Sequence, residues 1–142
     1  DPADLGYPAA DIIGLRIIDA DEPVDLVDGR YERRAWVRIE EDLADDWRVQ
    51  SSALTYLSDL TMVSTALAPH AADRQSASLT VASIDHAVWF HAPVRADQWL
   101  LFALDTPFAG GGHGLARGLF FDQAGVLVAS VVQESLLRGR RR

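Results

Sequence analysis

Three places carry polar side chains inside apolar elements, and together they suggest a site. The strand-like run Ser83–His91 holds a Ser, an Asp and two His, Asp59 interrupts a segment with helical periodicity, and Gln133 interrupts a late strand-like run. Such groups would rarely be placed there for packing alone. The site suggests hydrolysis.

Each residue also has a plainer reading. Asp59 lies roughly 100° from the centre of its helix's apolar stripe, a border position that also suits a solvated flank carboxylate. Ser83 begins the stretch Ser83-Ile-Asp-His-Ala-Val-Trp-Phe-His91, followed by Ala92-Pro93. There Ser83 and Asp85 would share one strand face, and Ile84, His86, Val88 and Phe90 the other. A serine on a strand is ordinary. His86, on the apolar side, reads more readily as a hydrogen-bonded core histidine than as a catalytic base. Gln133 alternates with Leu127, Ala129, Val131 and Leu137. A buried amide without partners costs about 1–3 kcal/mol, so Gln133 must bond something specific, whether as a brace or as an orienting group. Its neighbour Glu134 should point to solvent.

The elements that must position these groups follow from the pattern. Ile12–Asp19 reads as a short strand and Arg30–Glu40 as a second. Asp45 or Asp46 caps one long helix running from about Trp47 to Leu67, with Val49, Ala53, Tyr56, Leu57, Leu60, Val63 and Leu67 on its stripe and Pro69 as the stop. Four strand-like runs follow a polar loop (His70–Ala77): Ser78–His91, Gln98–Pro107, His113–Phe121 and Val126–Leu137. Asp122-Gln123-Ala124-Gly125 joins the last two as a hairpin. One unusually apolar helix followed by an antiparallel meander is an α+β pattern, with the sheet wrapped about the helix. Gly110-Gly111-Gly112 with Gly114 has no helix after it to supply a phosphate-binding dipole, so it reads as a turn.

Composition narrows the chemistry. At 142 residues the chain fits one domain with a substantial core, and 49% of its residues are hydrophobic. It has no cysteine, which excludes disulfides, thiolate catalysis and cysteine-ligated metals. All 13 basic residues are arginine, which excludes a Schiff-base lysine. A net charge of −8 argues against nucleic-acid binding. No apolar run approaches the ~20 residues of a membrane span. The His86/His91 spacing does not make a metal site, so neither metal nor cofactor is expected. The tail Arg138-Gly139-Arg140-Arg141-Arg142 reads as a solvated end.

Four blocks carry a family resemblance: Ala53-Leu-Thr-Tyr-Leu-Ser-Asp59-Leu60, Ser83 to His91, Gly114-Leu-Ala-Arg-Gly118, and Val128-Ala-Ser-Val-Val-Gln-Glu134. In this order and spacing they resemble the second of the two hotdog halves of the acyl-CoA thioesterase II family, over roughly residues 30–138. The resemblance implies a hotdog fold, an antiparallel sheet around one long central helix, and hydrolysis of fatty acyl-CoA to free acid and CoA. It places the family's catalytic carboxylate on Asp59, its hydroxyl residue on Ser83 and its amide on Gln133. Residues 1–29 would then be an arm able to add an edge strand, and 139–142 a basic tail.

A thioester is already activated, so a positioned water can attack it directly. Ser83 as a nucleophile is less attractive, because no histidine is placed to deprotonate it. Family members usually fuse two hotdog halves. A lone half would expose an apolar face and a sheet edge, and so calls for a second hotdog domain: another copy in a homo-oligomer, or a separate first-half chain. The alternative is a non-catalytic acyl-CoA-binding or assembly half. A hydratase using Asp85 and His86 ranks below both, because adjacent strand residues point to opposite faces. Such an enzyme of acyl-CoA metabolism is expected in the cytoplasm.

Overall fold

The computed structural model describes residues 10–18, 24–25, 31–70 and 79–139. The strands are β1 (Ile13–Ile17), β2 (Val24–Asp25), β3 (Tyr31–Ile39), β4 (Leu79–Ser83), β5 (Ala87–Phe90), β6 (Leu100–Gly110), β7 (His113–Phe121) and β8 (Leu127–Gly139); the helices are α1 (Trp47–Asp59) and α2 (Met62–Ala66). The strands form a single antiparallel sheet in the order β1-β3-β6-β7-β8-β4, with β2 also on β3 and β5 also on β8. Alternation within the strands turns Val37, Phe102, Ala116, Phe120 and Val131 onto one face, where they meet Leu54, Leu57, Met62 and Ala66 of the helices. A sheet curled round a helical segment is the hotdog arrangement that the resemblance implies.

Helix α1 starts where a cap is expected. Asp46 has extended backbone, and its carboxylate accepts from the Arg48 and Val49 amides at 2.7 and 3.4 Å. The helix is turned differently about its axis than the apolar stripe predicts. Its buried residues are Gln50, Leu54, Leu57 and Ser58, while Val49 and Tyr56 are exposed. Two polar groups occupy the core face because each finds partners there. Gln50 accepts from the Ala96 amide at 2.7 Å and donates to the Ala44 carbonyl at 3.2 Å.

The expected single helix to Leu67 breaks after Asp59. Leu60 is extended, and Thr61 adopts a left-handed conformation (φ 67°) before α2 resumes. Leu60 and Met62 are both buried, at 4% and 0% exposure. Residues two apart on a continuous helix face ~200° apart, so both reach the core only if the backbone turns between them. A β-branched residue at positive φ costs about 1–2 kcal/mol, offset here by the buried side chains on either side.

The expected strand Ser78–His91 is also divided. β4 and β5 lie end to end on β8, with Ser83 opposite Ser135 and Ala87 opposite Val132. Four steps on one side therefore match three on the other, which is a bulge. Across it the Ile84 amide donates to the Glu134 carbonyl at 2.9 Å, and the Asp85 carboxylate accepts from the Glu134 amide at 2.9 Å. Asp85 thus replaces a backbone acceptor in the ladder. The alternation predicted through residues 83–90 does not hold, and the bulge re-aims His86. Of the basic tail, residues 140–142 lie outside the described residues, as does most of the polar loop at 71–78.

Turn chemistry follows expectation more closely. Gly125 takes φ 82° in the hairpin between β7 and β8, and Gly111 and Gly112 take φ 59° and 85° between β6 and β7. Gly118 serves close packing instead. A Cβ there would overlap the Phe102 ring and stand 2.9 Å from Val131 Cγ1. Phe102 is stacked on Phe120, with ring centroids 4.0 Å apart, and has nowhere to retreat. Gly118→Ala should therefore lose about 1–3 kcal/mol in urea denaturation, as overpacked cores do; unchanged stability would refute this packing account.

The start of α1 is tied to the segment before β6 through Asp97, which is 5% exposed. Its carboxylate accepts from Arg95 Nε and Nη2 at 3.1 and 2.9 Å and from the Leu43 amide at 3.1 Å. The Arg95 guanidinium first, then the Leu43 amide and Gln50, hold the Asp97 carboxyl below the usual carboxylate range, against the opposing effect of burial. A depressed folded-state value stabilises the fold above the unfolded value of about 3.9, and that stabilisation is lost as pH falls through the folded value. Asp97→Asn should be about 1–3 kcal/mol less stable than wild type at pH 7. The gap should close as the pH drops below about 4. A gap that stays constant over that range would exclude the ionic contribution.

Candidate active site

The site grows out of one buried amide. Gln133 lies in β8 with no solvent exposure, on the face that carries Val131 and Leu137. Its Oε1 is 2.6 Å from His86 Nδ1, and its Nε2 donates to Ser83 Oγ at 3.0 Å and to Ser135 Oγ at 3.4 Å. The other ring nitrogen of His86, Nε2, is 2.7 Å from Ser58 Oγ. The same hydroxyl lies 2.7 Å from the Thr55 carbonyl. A run of side chains thus crosses from helix α1 to the end of β4 through Ser58, His86, Gln133 and Ser83.

Of the three residues taken from the resemblance, two, Ser83 and Gln133, belong to this run, and Asp59 does not. Ser83 and Gln133 are in direct hydrogen-bond contact. Asp59 is the last residue of α1, adjoining Ser58, and its side chain is exposed rather than on a half-buried border. The reason is the turn of α1 described above: once Leu57 and Ser58 face the core, Asp59 faces outward. Ser83 is exposed as well, at the sheet edge where β4 ends. The buried end of the set is therefore uncharged, and its one carboxylate meets water.

Several other candidates sort themselves by their bonds. Asp85 and His86 diverge, the first to the Glu134 amide and the second to Ser58 and Gln133, so they do not act as a pair. His91 bonds Ser130 at 2.8 Å. Glu134 is half-exposed and bonds His113 Nδ1 at 3.1 Å. Among the described residues no cluster of three or more His, Asp or Glu is arranged to hold a metal ion. A cavity of about 450 Å³ opens elsewhere, against Ala103, Asp105, Arg117, Leu119 and Val132, and does not include Asp59, Ser83, His86 or Gln133.

Ser58 is the member of this hydrogen-bonded run that sequence reasoning missed. It reads as one more polar residue on a helix flank. The available signal was the one that exposed Gln133: a polar residue in line with Leu54 and Leu57.

The family model described as acyl-CoA thioesterase matches residues 22–136. The chain belongs to the acyl-CoA thioesterase family. Acyl-CoA thioesterase 2 of Haemophilus influenzae is 38% identical over 107 residues, which are 75% of this chain and 37% of that protein. Human acyl-coenzyme A thioesterase 8 is 38% identical over 104 residues, 72% of this chain and 32% of that one. The crystal structure of an acyl-CoA thioesterase II, TesB2, from Mycobacterium marinum superposes with a TM-score of 0.83 at 39% identity. It takes in 99% of this chain but 54% of its own. The chain thus spans about half the length of that thioesterase structure and about a third of the curated relatives.

Within this family frame the glycines of β7 find their purpose. A Cβ at Gly114 would stand 2.7 Å from Leu137 Cδ1 and 3.0 Å from Ala66 Cβ, so the strand lies directly on α2. Gly114 thus lets β7 close on α2, and Gly118 leaves room for the Phe102 ring and Val131 within the sheet.

Proposed function

We propose that this chain hydrolyses fatty acyl-CoA thioesters to free fatty acid and CoA, using Asp59, Ser83 and Gln133 to hold and activate a water that attacks the thioester carbonyl directly. The observation that carries the reading is the 3.0 Å bond from the buried Gln133 amide to the exposed Ser83 hydroxyl. An amide with no solvent contact fixes a hydroxyl that faces solvent, and this suits the holding of a small polar reactant. Asp59 supplies the proton acceptor. Attack forms a tetrahedral intermediate; its collapse expels the CoA thiolate, and the water's proton passes to Asp59 and on to the departing sulfur or solvent. The histidine of the set bonds Gln133 and Ser58, not Ser83, which favours water over a serine nucleophile.

The reading includes a second hotdog half. The edge made by β4 and β5 carries exposed Val81, Ile84 and Trp89 beside exposed Ser83. A partner of the same fold would cover these apolar groups and wall the acyl chain. A second copy forming a dimer supplies such a partner, and so does a separate first-half chain. In this reading residues 30–138 form the hotdog unit, preceded by an arm and followed by a basic tail. The setting is cytoplasmic fatty-acid metabolism.

The test is CoA release from medium- and long-chain acyl-CoA, followed by thiol trapping on the native particle with any chain that co-purifies. Asp59→Asn should lower turnover at least about 100-fold with an unchanged thermal melt, the usual scale for a lost general base. Near-normal turnover by the folded variant would remove Asp59 from the mechanism. Acyl-CoA binding by wild type without thiol release would overturn catalysis in favour of an acyl-binding half.

A further inference from the structure

His86 lies between the two ends of the site, and its bonds decide how the site's protons point. Ser58 Oγ sits 2.7 Å from His86 Nε2, and His86 Nδ1 sits 2.6 Å from Gln133 Oε1. Gln133 Nε2 then sits 3.0 Å from Ser83 Oγ and 3.4 Å from Ser135 Oγ. A neutral imidazole has one donor and one acceptor nitrogen, and a primary amide has a donor end and an acceptor end. Whether Nδ1 carries a proton therefore fixes the sense of every bond from the ring to Ser83.

With a proton on Nδ1, the donors from the ring to Ser83 run one way. On the far side of the ring the Ser58 hydroxyl donates to the Thr55 carbonyl at 2.7 Å, and its oxygen faces His86 Nε2 at 2.7 Å. His86 Nδ1–H donates to Gln133 Oε1, and the Gln133 amide donates to both serines. Ser83 then accepts a hydrogen bond from inside and keeps its own proton to direct outward. Bonds aligned in this way strengthen one another in a low-dielectric interior. With Nδ1 bare the amide must turn over to donate to it. Its oxygen would then draw the Ser83 proton inward, and the hydroxyl would offer the site no donor.

We propose that His86, protonated at Nδ1, is a positioning residue that locks the Gln133 amide so that Ser83 presents its hydroxyl proton to the reacting water. The bulge at residues 84–86 is the backbone device that delivers it. Because Asp85 satisfies the Glu134 amide, the chain spends an extra residue there and turns the His86 ring toward Gln133. His86 touches neither substrate nor water in this scheme and acts wholly through Gln133.

The kinetic arm rests on the proposed hydrolysis; the spectroscopic arm does not. Long-range ¹H–¹⁵N correlation spectra of the wild-type protein at neutral pH should show His86 with a protonated Nδ1. A bare Nδ1 would overturn the assignment. In acyl-CoA hydrolysis, His86→Leu should lower kcat by about 10–100-fold with KM little changed, the scale of a misplaced group. His86→Asn, whose amide N–H can stand near Nδ1, should recover most of that loss. Wild-type kcat in folded His86→Leu, or equal loss in both variants, would overturn the proposal while leaving the hydrolysis reading intact. Absence of wild-type turnover would instead count against that reading, with the Nδ1 proton still deciding the proposal. Should His86→Leu fail to fold, the Nδ1 proton and His86→Asn, which would overturn the proposal by losing kcat as heavily as the figure given for leucine, remain decisive.

Discussion

The fully buried amide of Gln133 is the constraint around which this molecule is arranged. An unpaired amide in an apolar face costs about 1–3 kcal/mol, so each of its polar ends demands a partner. The partners come from far along the chain: His86 at one end, Ser83 and Ser135 at the other. To supply His86, the strand on β8 must bulge and Asp85 must stand in for a backbone carbonyl. To pair the far side of His86, helix α1 must turn Ser58 inward, which carries Asp59 outward to solvent. One polar group in the core thus goes with the rotation of a helix about its axis, the break in a strand and the exposure of a carboxylate.

The rest of the fold holds these pieces to tolerance. Gln50 and Asp97 anchor the start of α1 against the segment before β6, so the helix cannot rotate back to the face its hydropathy prefers. The turn at Leu60 and Thr61 lets the chain bury Leu60 and Met62 together and ends α1 at Asp59. On the opposite side, Gly114 and Gly118 let β7 approach α2 and Phe102 more closely than any side chain would allow. Membership of the acyl-CoA thioesterase family and the match to the Mycobacterium marinum structure fit this picture of a sheet closed tightly on a helix.

Much of this was legible from residue order, and the exceptions share one cause. Strand β7, the Gly125 hairpin and the Asp46 cap come from local signals: alternation, a positive-φ glycine and a capping carboxylate. The helix face was misjudged by about one residue, because hydropathy cannot credit Gln50 and Ser58 with partners elsewhere in the chain. The strand break at 84–86 was invisible for the same reason, since a side chain replaced a backbone acceptor. Gln133 was visible as an anomaly, but its partners were not. Choosing between a brace and an orienting group required the bonds to Ser83 and His86.

That choice is also where the account is most exposed. The direct measurement is CoA release by Gln133→Leu, a change that keeps volume and removes the amide. The account predicts a folded protein, less stable by about 1–3 kcal/mol because His86 loses its acceptor, whose turnover falls at least about 100-fold. A folded Gln133→Leu protein releasing CoA at close to the wild-type rate would contradict it, reducing the buried amide to a brace.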